Sequence, residues 1–324
     1  MKFRTIHSVD TCLLHPISGH YSLQVKEYHF VLKPCKITEL NQASGISNFV
    51  LEFDIDIDPE LVEPEFKKWG KFEQDLPVKM QAEYVSLSIA RDMIAWLSFA
   101  TRSWIALSQT SAGACMGSLG PSKTVPLDRI KNDFEDLGHR EILQIDNGEF
   151  EEIKRPDFRL FPLDRTDLKL PSDFHRLTEK LFSINEENRD RFLEASASYM
   201  FALQNKILYP TVSLISFCIS IESILETSKP ENCKYKKGYC EYKREVGKKF
   251  RQLFQEHVPN SPECPLDNIN NFIKRIYKKR SQVVHEGLLW KLRGPSLSFP
   301  SPSRENDYLE MLVNIALTDW LDKK

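Results

Sequence analysis

Arg280 and His285 are the residues whose types and spacing point most directly to chemistry. They bracket the run Arg280-Ser-Gln-Val-Val-His285, followed by Glu286-Gly287, at the end of a basic amphipathic segment. Five residues of helix give about 7.5 Å of rise and about 140° of rotation. A long Arg and a His can converge on one groove from those positions. Together they suit phosphodiester cleavage of RNA without metal. The imidazole takes the 2′-hydroxyl proton near neutral pH. The guanidinium, always charged, clamps the phosphate and its developing negative charge. The plainer role for such a pair is a His interacting with a helix C-terminus beside an exposed Arg.

The surroundings of this pair are basic. Lys274, Arg275, Lys278, Lys279 and Arg280 add five positive charges with no acid among them. Lys229 to Arg251 holds nine positive and three negative residues, a local net of +6. Tyr235, Tyr239, Tyr242 and Tyr277 are interleaved with these runs, and aromatic rings stack on unpaired bases. A charge run is usually a solvated helix face; two of them with interleaved tyrosines point to RNA, with Lys274, Arg275, Lys278 and Lys279 guiding the backbone.

Three other constellations fall short of their motifs. Asp54-Ile-Asp56-Ile-Asp58 opens like a calcium loop with Glu65 at the twelfth position, but Pro59 stands where that loop needs Gly. The interleaved Ile residues demand a strand with a solvated face instead. Gly113-Ala-Cys115-Met-Gly117 mimics a nucleophile elbow, yet Ser118, Gly120 and Pro121 follow it, which is loop composition. Cys233, Cys240, His257 and Cys264 are separated by six, sixteen and six residues, not by the paired short spacings of structural zinc sites. No metal and no cofactor is expected.

The elements that must position Arg280 and His285 follow from periodicity. Phe49, Leu51, Phe53, Ile55 and Ile57 alternate with Glu52, Asp54, Asp56 and Asp58, which predicts a half-buried strand. Tyr28 to Leu32 predicts another. Ala90, Met93, Ile94, Leu97 and Ala100 carry helical spacing within 81–100, and Trp104 to Leu107 fits either a helix or a strand. Ser111 to Pro126 reads as a loop. Short strands are expected at Glu141 to Ile145 and Phe150 to Ile153 about the Asn147-Gly148 turn. Residues 1–171 therefore read as one α+β domain.

After Pro171 the spacing is helical. Ser172 and Asp173 can cap a helix bearing Phe174, Leu177 and Leu181, and Asn185 can cap the next. Pro210 opens a third, apolar all round and so expected at the centre of a bundle. Val246, Phe250, Leu253 and Phe254 mark a fourth, Ile269 to Tyr277 a fifth, and Leu309 to Trp320 the last, with Ser303 as its cap. Residues 172–324 thus read as an all-α helical bundle following the α+β domain.

Composition sets the outer bounds. The 324 residues leave room for two domains of about 150 residues each. Hydrophobic residues at 41% exclude a disordered chain, and 44 basic against 46 acidic residues, net -2, exclude a wholly basic coat protein. The first sixteen residues lack the apolar core of a signal peptide. Val212 to Leu225 is too short and too polar to span a bilayer, which needs about 20 apolar residues. Seven Cys spread over the chain imply no disulfide framework. A cytoplasmic protein without membrane contact is expected.

The second half resembles the HEPN superfamily, and within it the Apea-like group. The resemblance rests on Glu222 in the apolar helix Cys218-Ile-Ser-Ile-Glu222-Ser-Ile-Leu225, on a long loop, on Val246-Gly-Lys-Lys-Phe250, on Ile276-Tyr277-Lys-Lys-Arg280-Ser-Gln-Val-Val-His285, and on a closing helix. It implies an all-α bundle and, for active members, a metal-independent endoribonuclease of antiviral, abortive-infection or toxin systems. Arg280 and His285 then match the catalytic motif, with Glu222 orienting Arg280 or capping a polar pocket and Tyr277 and Ser281 in support. Ser281 stands where many such nucleases carry Asn, Asp or His. Some members bind RNA or protein without cleaving. The resemblance also implies a homodimer. Two proton transfers are needed and the motif holds one His, which agrees with a site shared by two copies. Residues 1–171 resemble no family; as a separate domain they are expected to sense a trigger or select substrate.

Overall fold

The computed structural model describes residues 1–11, 21–34, 47–67, 76–107, 122–126, 152–153, 170–206, 208–225, 241–258, 266–286 and 302–324. The Cys115 segment, the expected strand at Glu141 to Ile145 with its Asn147-Gly148 turn, and Cys233, Cys240 and Cys264 lie outside them. The chain divides into two compact units, Met1–Phe182 and Ser183–Lys324.

In the first unit the strands are β1 (Lys2–Thr11), β2 (Tyr21–Val25), β3 (Tyr28–Pro34), β4 (Ser47–Asp56), β5 (Ile105–Leu107) and β6 (Ser122–Pro126). They form an antiparallel sheet in the order β2-β3-β4-β1-β5, with β6 also paired to β1. A short parallel pair joins β7 (Glu152–Ile153) to β8 (Leu170–Pro171). A 3-10 turn at Pro59–Leu61 and a short helix, α1 (Pro64–Lys67), follow β4. The long helix α2 (Leu76–Thr101) is buried at every residue from Met93 to Thr101, as a segment apolar all round must be.

The expected strands at Tyr28 and Phe49 are present, while the central strand is one the periodicity reading passed over. In β1, Thr5, His7 and Thr11 stand among Phe3, Ile6 and Val9, and all six are buried. Polar residues thus mask the alternation. The acidic face of β4 is not simply solvated: Glu52 is buried, and Arg4 of β1 lies 3.5 Å from Glu52 and 3.0 Å from Asp54. The Met1 amino group pairs with Asp56 at 3.0 Å. Across the antiparallel register these cations answer the carboxylates that resembled a calcium loop. One open choice and one correction concern β5 and β6. Trp104 to Leu107 resolves into a strand beginning at Ile105, because Ser98 Oγ donates to the Ile105 carbonyl and accepts from its N–H. Ser122–Pro126, expected as loop, pairs along Phe3–His7.

The helix after Pro171, α3 (Phe174–Ser183), belongs to the first unit rather than to the bundle, which moves the boundary from 171 to 182. The cause is aromatic packing. Phe174 stacks on Trp96 of α2 at 5.8 Å and meets Tyr21 of β2 at 5.6 Å. The Trp96 indole N–H donates to Thr178 Oγ1 at 2.9 Å, and that hydroxyl donates to the Phe174 carbonyl.

The second unit is built from α4 (Glu186–Asn205), α5 (Pro210–Ile224), α6 (Glu241–His257), α7 (Leu266–Glu286) and α8 (Pro302–Lys323). Asn185 caps α4 by accepting from the Asn188 N–H, and Pro210 opens α5. The end of α4 and the start of α5 are tied to α8: Tyr199 and Lys206 both donate to Glu310, and Asn306 donates to the Pro210 carbonyl. As its apolar composition requires, α5 touches each of α4, α6, α7 and α8. Ser220 Oγ donates to the Ala195 carbonyl of α4, and Phe217 meets Tyr199 at 5.3 Å. Among the described residues no helix is long and apolar enough to cross a membrane.

The Trp96–Thr178 bond is buried, so Thr178→Val leaves an indole N–H without an acceptor. Urea unfolding should show a loss of about 1–3 kcal/mol. Unchanged stability would show that this bond does not hold α3 to the first unit.

Candidate functional site

Two helices of the bundle bring the candidate residues together. On α5, Cys218 and Glu222 lie one turn apart and share a face. On α7, Ile269, Ile273 and Ile276 are buried, and Arg280 continues their stripe by helical spacing. A charged residue therefore continues a buried apolar stripe. Arg280 Nη2 donates to Glu222 Oε2 at 2.7 Å, with the side chains 20% and 18% exposed respectively.

The pair is joined through one bond. Arg280 Nε and Glu222 Oε1 are buried and have no hydrogen-bond partner. A guanidinium can bind a carboxylate through two parallel bonds; here one donor and one acceptor stay idle, which costs desolvation without return. Burial raises the Glu222 pKa and outweighs the lowering by the charge and hydrogen bond of Arg280. Burial and the Glu222 charge likewise push the Cys218 thiol up, against a smaller lowering by Arg280. Cys218 is thus held as a thiol, a poor nucleophile.

Tyr277 supports Arg280. The guanidinium carbon lies 6.0 Å from the centroid of its ring, within reach of a cation–π contact. The ring in turn packs on Phe250 of α6 at 5.0 Å. A Cβ on Gly247 would stand 2.8 Å from Tyr277 Cε1, so the glycine of Val246-Gly-Lys-Lys-Phe250 admits the tyrosine. This packing role could have been found from a Gly in mid-helix, where it carries a propensity cost.

His285 is the penultimate residue of α7. Its position on the helix is about 140° round from Arg280 and within about 60° of Lys274, Lys278 and Ser281. The Arg and the His of the motif therefore occupy different stripes of one helix. Lys274 and Lys278 are exposed and Ser281 is half-buried. The remaining two cations have an acid at hand. Arg275 lies 3.3 Å and Lys279 2.6 Å from Glu305 in the first turn of α8. Sequence reading grouped all four as RNA guides and missed Glu305. An acid in the first turn of a helix was the available signal. His257 Nδ1 donates to Asp319 Oδ2 across 2.9 Å; no cluster of possible metal ligands occurs among the described residues.

The chemical capacity of the site lies in Arg280. An oxyanion arriving there competes with Glu222 for the guanidinium. Protonating Glu222 releases the same group.

Two measurements probe the pair. A carboxyl whose folded-state pKa lies above its unfolded value of about 4.3 supports the fold below that value, and the support drains away as pH climbs to the folded pKa. Wild type should therefore lose stability relative to Glu222→Gln as pH rises from about 4 towards neutrality. A flat difference, or one moving in favour of wild type, contradicts the raised pKa. Arg280→Ala strands the carboxylate and should cost about 2 kcal/mol at neutral pH, below the roughly 3–5 of fully buried pairs because both ends keep some exposure.

The chain matches no family model, no curated protein and no solved structure in the comparisons made with each.

Proposed function

We propose that the chain is a metal-independent endoribonuclease with a HEPN-like bundle, acting as an effector in antiviral, abortive-infection or toxin systems. The observation that carries the reading is the Arg280–Glu222 pair, set between α5 and α7 at the start of an Arg-x4-His run on a basic helix. Arg280 binds the scissile phosphate and steadies the charge that develops on it. His285 removes the proton of the 2′-hydroxyl, which attacks the adjacent phosphorus; the 5′-oxygen leaves with a proton. The products are a 2′,3′-cyclic phosphate and a 5′-hydroxyl. Lys274 and Lys278 steer the strand. Glu222 holds Arg280 until the phosphate displaces it.

One His per motif leaves one proton transfer unassigned, so the proposal includes a homodimer in which two copies of Arg280 and His285 share a groove. The first unit takes the role of trigger or substrate recognition, in the cytoplasm.

A specific observation favours a second reading. Arg280 is engaged by Glu222, and the His285 position lies about 140° round the helix from it. A module that binds RNA or protein without cutting would tolerate both features.

Cleavage assays separate the two. Purified protein should cut single-stranded RNA in EDTA, spare DNA of the same sequence, and lose about 10²–10⁴-fold in rate on His285→Ala, with a comparable loss on Arg280→Ala. Complete inhibition by EDTA or cutting of DNA would refute the mechanism. Binding without cutting would establish the second reading. Sedimentation should find the active species dimeric, and either variant should inhibit wild type on subunit exchange; a fully active monomer refutes the shared site.

A further inference from the structure

The two long helices α6 and α7 run antiparallel, and three contacts fix their register. Gln255 Nε2 donates to Asn270 Oδ1 at 3.0 Å, Phe250 meets Tyr277, and Gly247 abuts the same tyrosine. This alignment sets Arg251 across from Lys274 and Lys248 across from Lys278. On α6, Arg251 lies between Gly247 and Gln255, both of which touch α7, so it flanks the seam rather than the far side of the helix. On α7, Lys274 and Lys278 follow the Asn270 side of the helix. All four cations are exposed, and none has an acid within ion-pair distance among the described residues.

The other flank of α7 is built differently. There Arg275 and Lys279 converge on Glu305 and share its one negative charge. Like charges facing one another across a seam and along a helix repel. A surface serving only the fold has no reason to collect four cations on one side of a helix while supplying an acid on the other. A polyanionic strand lying along the seam removes the repulsion by bringing the missing negative charge.

We infer that the outer α6–α7 seam, through Lys248 and Arg251 facing Lys278 and Lys274, is a binding track for the phosphate backbone of single-stranded RNA. The track leads along α7 towards the His285 position, while Arg275 and Lys279 serve the fold. The choice of RNA rests on the nuclease reading; the track itself rests on the register and the uncompensated charge.

The test measures binding apart from cleavage. A labelled single-stranded oligonucleotide with every 2′-hydroxyl methylated cannot supply the attacking group, and its anisotropy is titrated at several salt concentrations. The double variant Lys248→Gln/Arg251→Gln should bind more weakly and lower the slope of log K against log salt by about 1.4, two contacts at about 0.7 each for a single strand. Arg275→Gln and the distant control Arg191→Gln should leave the slope unchanged. Thermal unfolding should show the double variant no less stable than wild type, since repulsion is relieved. An unchanged slope in the double variant, a loss of fold stability, or wild type that does not bind the oligonucleotide overturns the track. Cleavage of ordinary RNA, assayed in parallel, keeps the two ideas apart. Wild type that cuts while the double variant keeps its slope refutes the track alone. Wild type that binds with the expected slope change but never cuts leaves the track standing and refutes the nuclease.

Discussion

A carboxylate and a guanidinium set between two helices impose the main constraint on the bundle. Glu222 comes from the most apolar helix of the unit and Arg280 from the buried stripe of a strongly basic one. Each charge makes the other tolerable, because an unpaired ion there would meet the full desolvation cost. The compensation is incomplete. One bond joins the pair, an N–H and a carboxylate oxygen remain idle, and burial still holds the Glu222 pKa up. A pair placed for stability alone would use both edges of the guanidinium.

The rest of α7 is arranged around that point. Tyr277 lies beneath the guanidinium, Phe250 backs the ring, and Gly247 removes the one atom that would collide with it. On either side of Tyr277 the helix divides its cations between two flanks. Towards α8 they meet Glu305; towards α6 they meet other cations. The division is a consequence of helix geometry. Residues adjacent in sequence project about 100° apart, so a run that looks uniform in composition is sorted by packing into a set that shares an acid and a set without one.

The first unit shows the same sorting in a sheet. The acids on alternate positions of β4 look solvent-facing from periodicity, yet β1 beside them supplies Arg4 and the chain's own amino terminus. Because a strand's alternation says which residues share a face and not what stands opposite, the partners of Glu52, Asp54 and Asp56 depend on which strand pairs with β4.

Sequence alone determined the local structure. The period-two run at Phe49, the helical spacing from Ala90, the Asn185 cap, the Pro210 start and the central place of α5 all follow from side-chain pattern and capping chemistry, which act within a few residues. The order of a sheet-bearing unit before a helical one followed from the change of period near Pro171. Arg280 was legible from its spacing to His285, and Glu222 and Tyr277 from the short motifs that contain them. Tertiary structure decided what depends on partners distant in sequence. Thr5, His7 and Thr11 gave β1 no clear alternation, and only the fold pairs it with three strands, β4, β5 and β6. The helix at Phe174 could have joined either unit until Trp96 offered its ring and its N–H. The four cations of α7 were equivalent in sequence and became different only when Glu305 came up on one flank and Lys248 and Arg251 on the other. Long-range pairing has this power because burial and charge compensation depend on the neighbours in space, and local sequence carries little information about them.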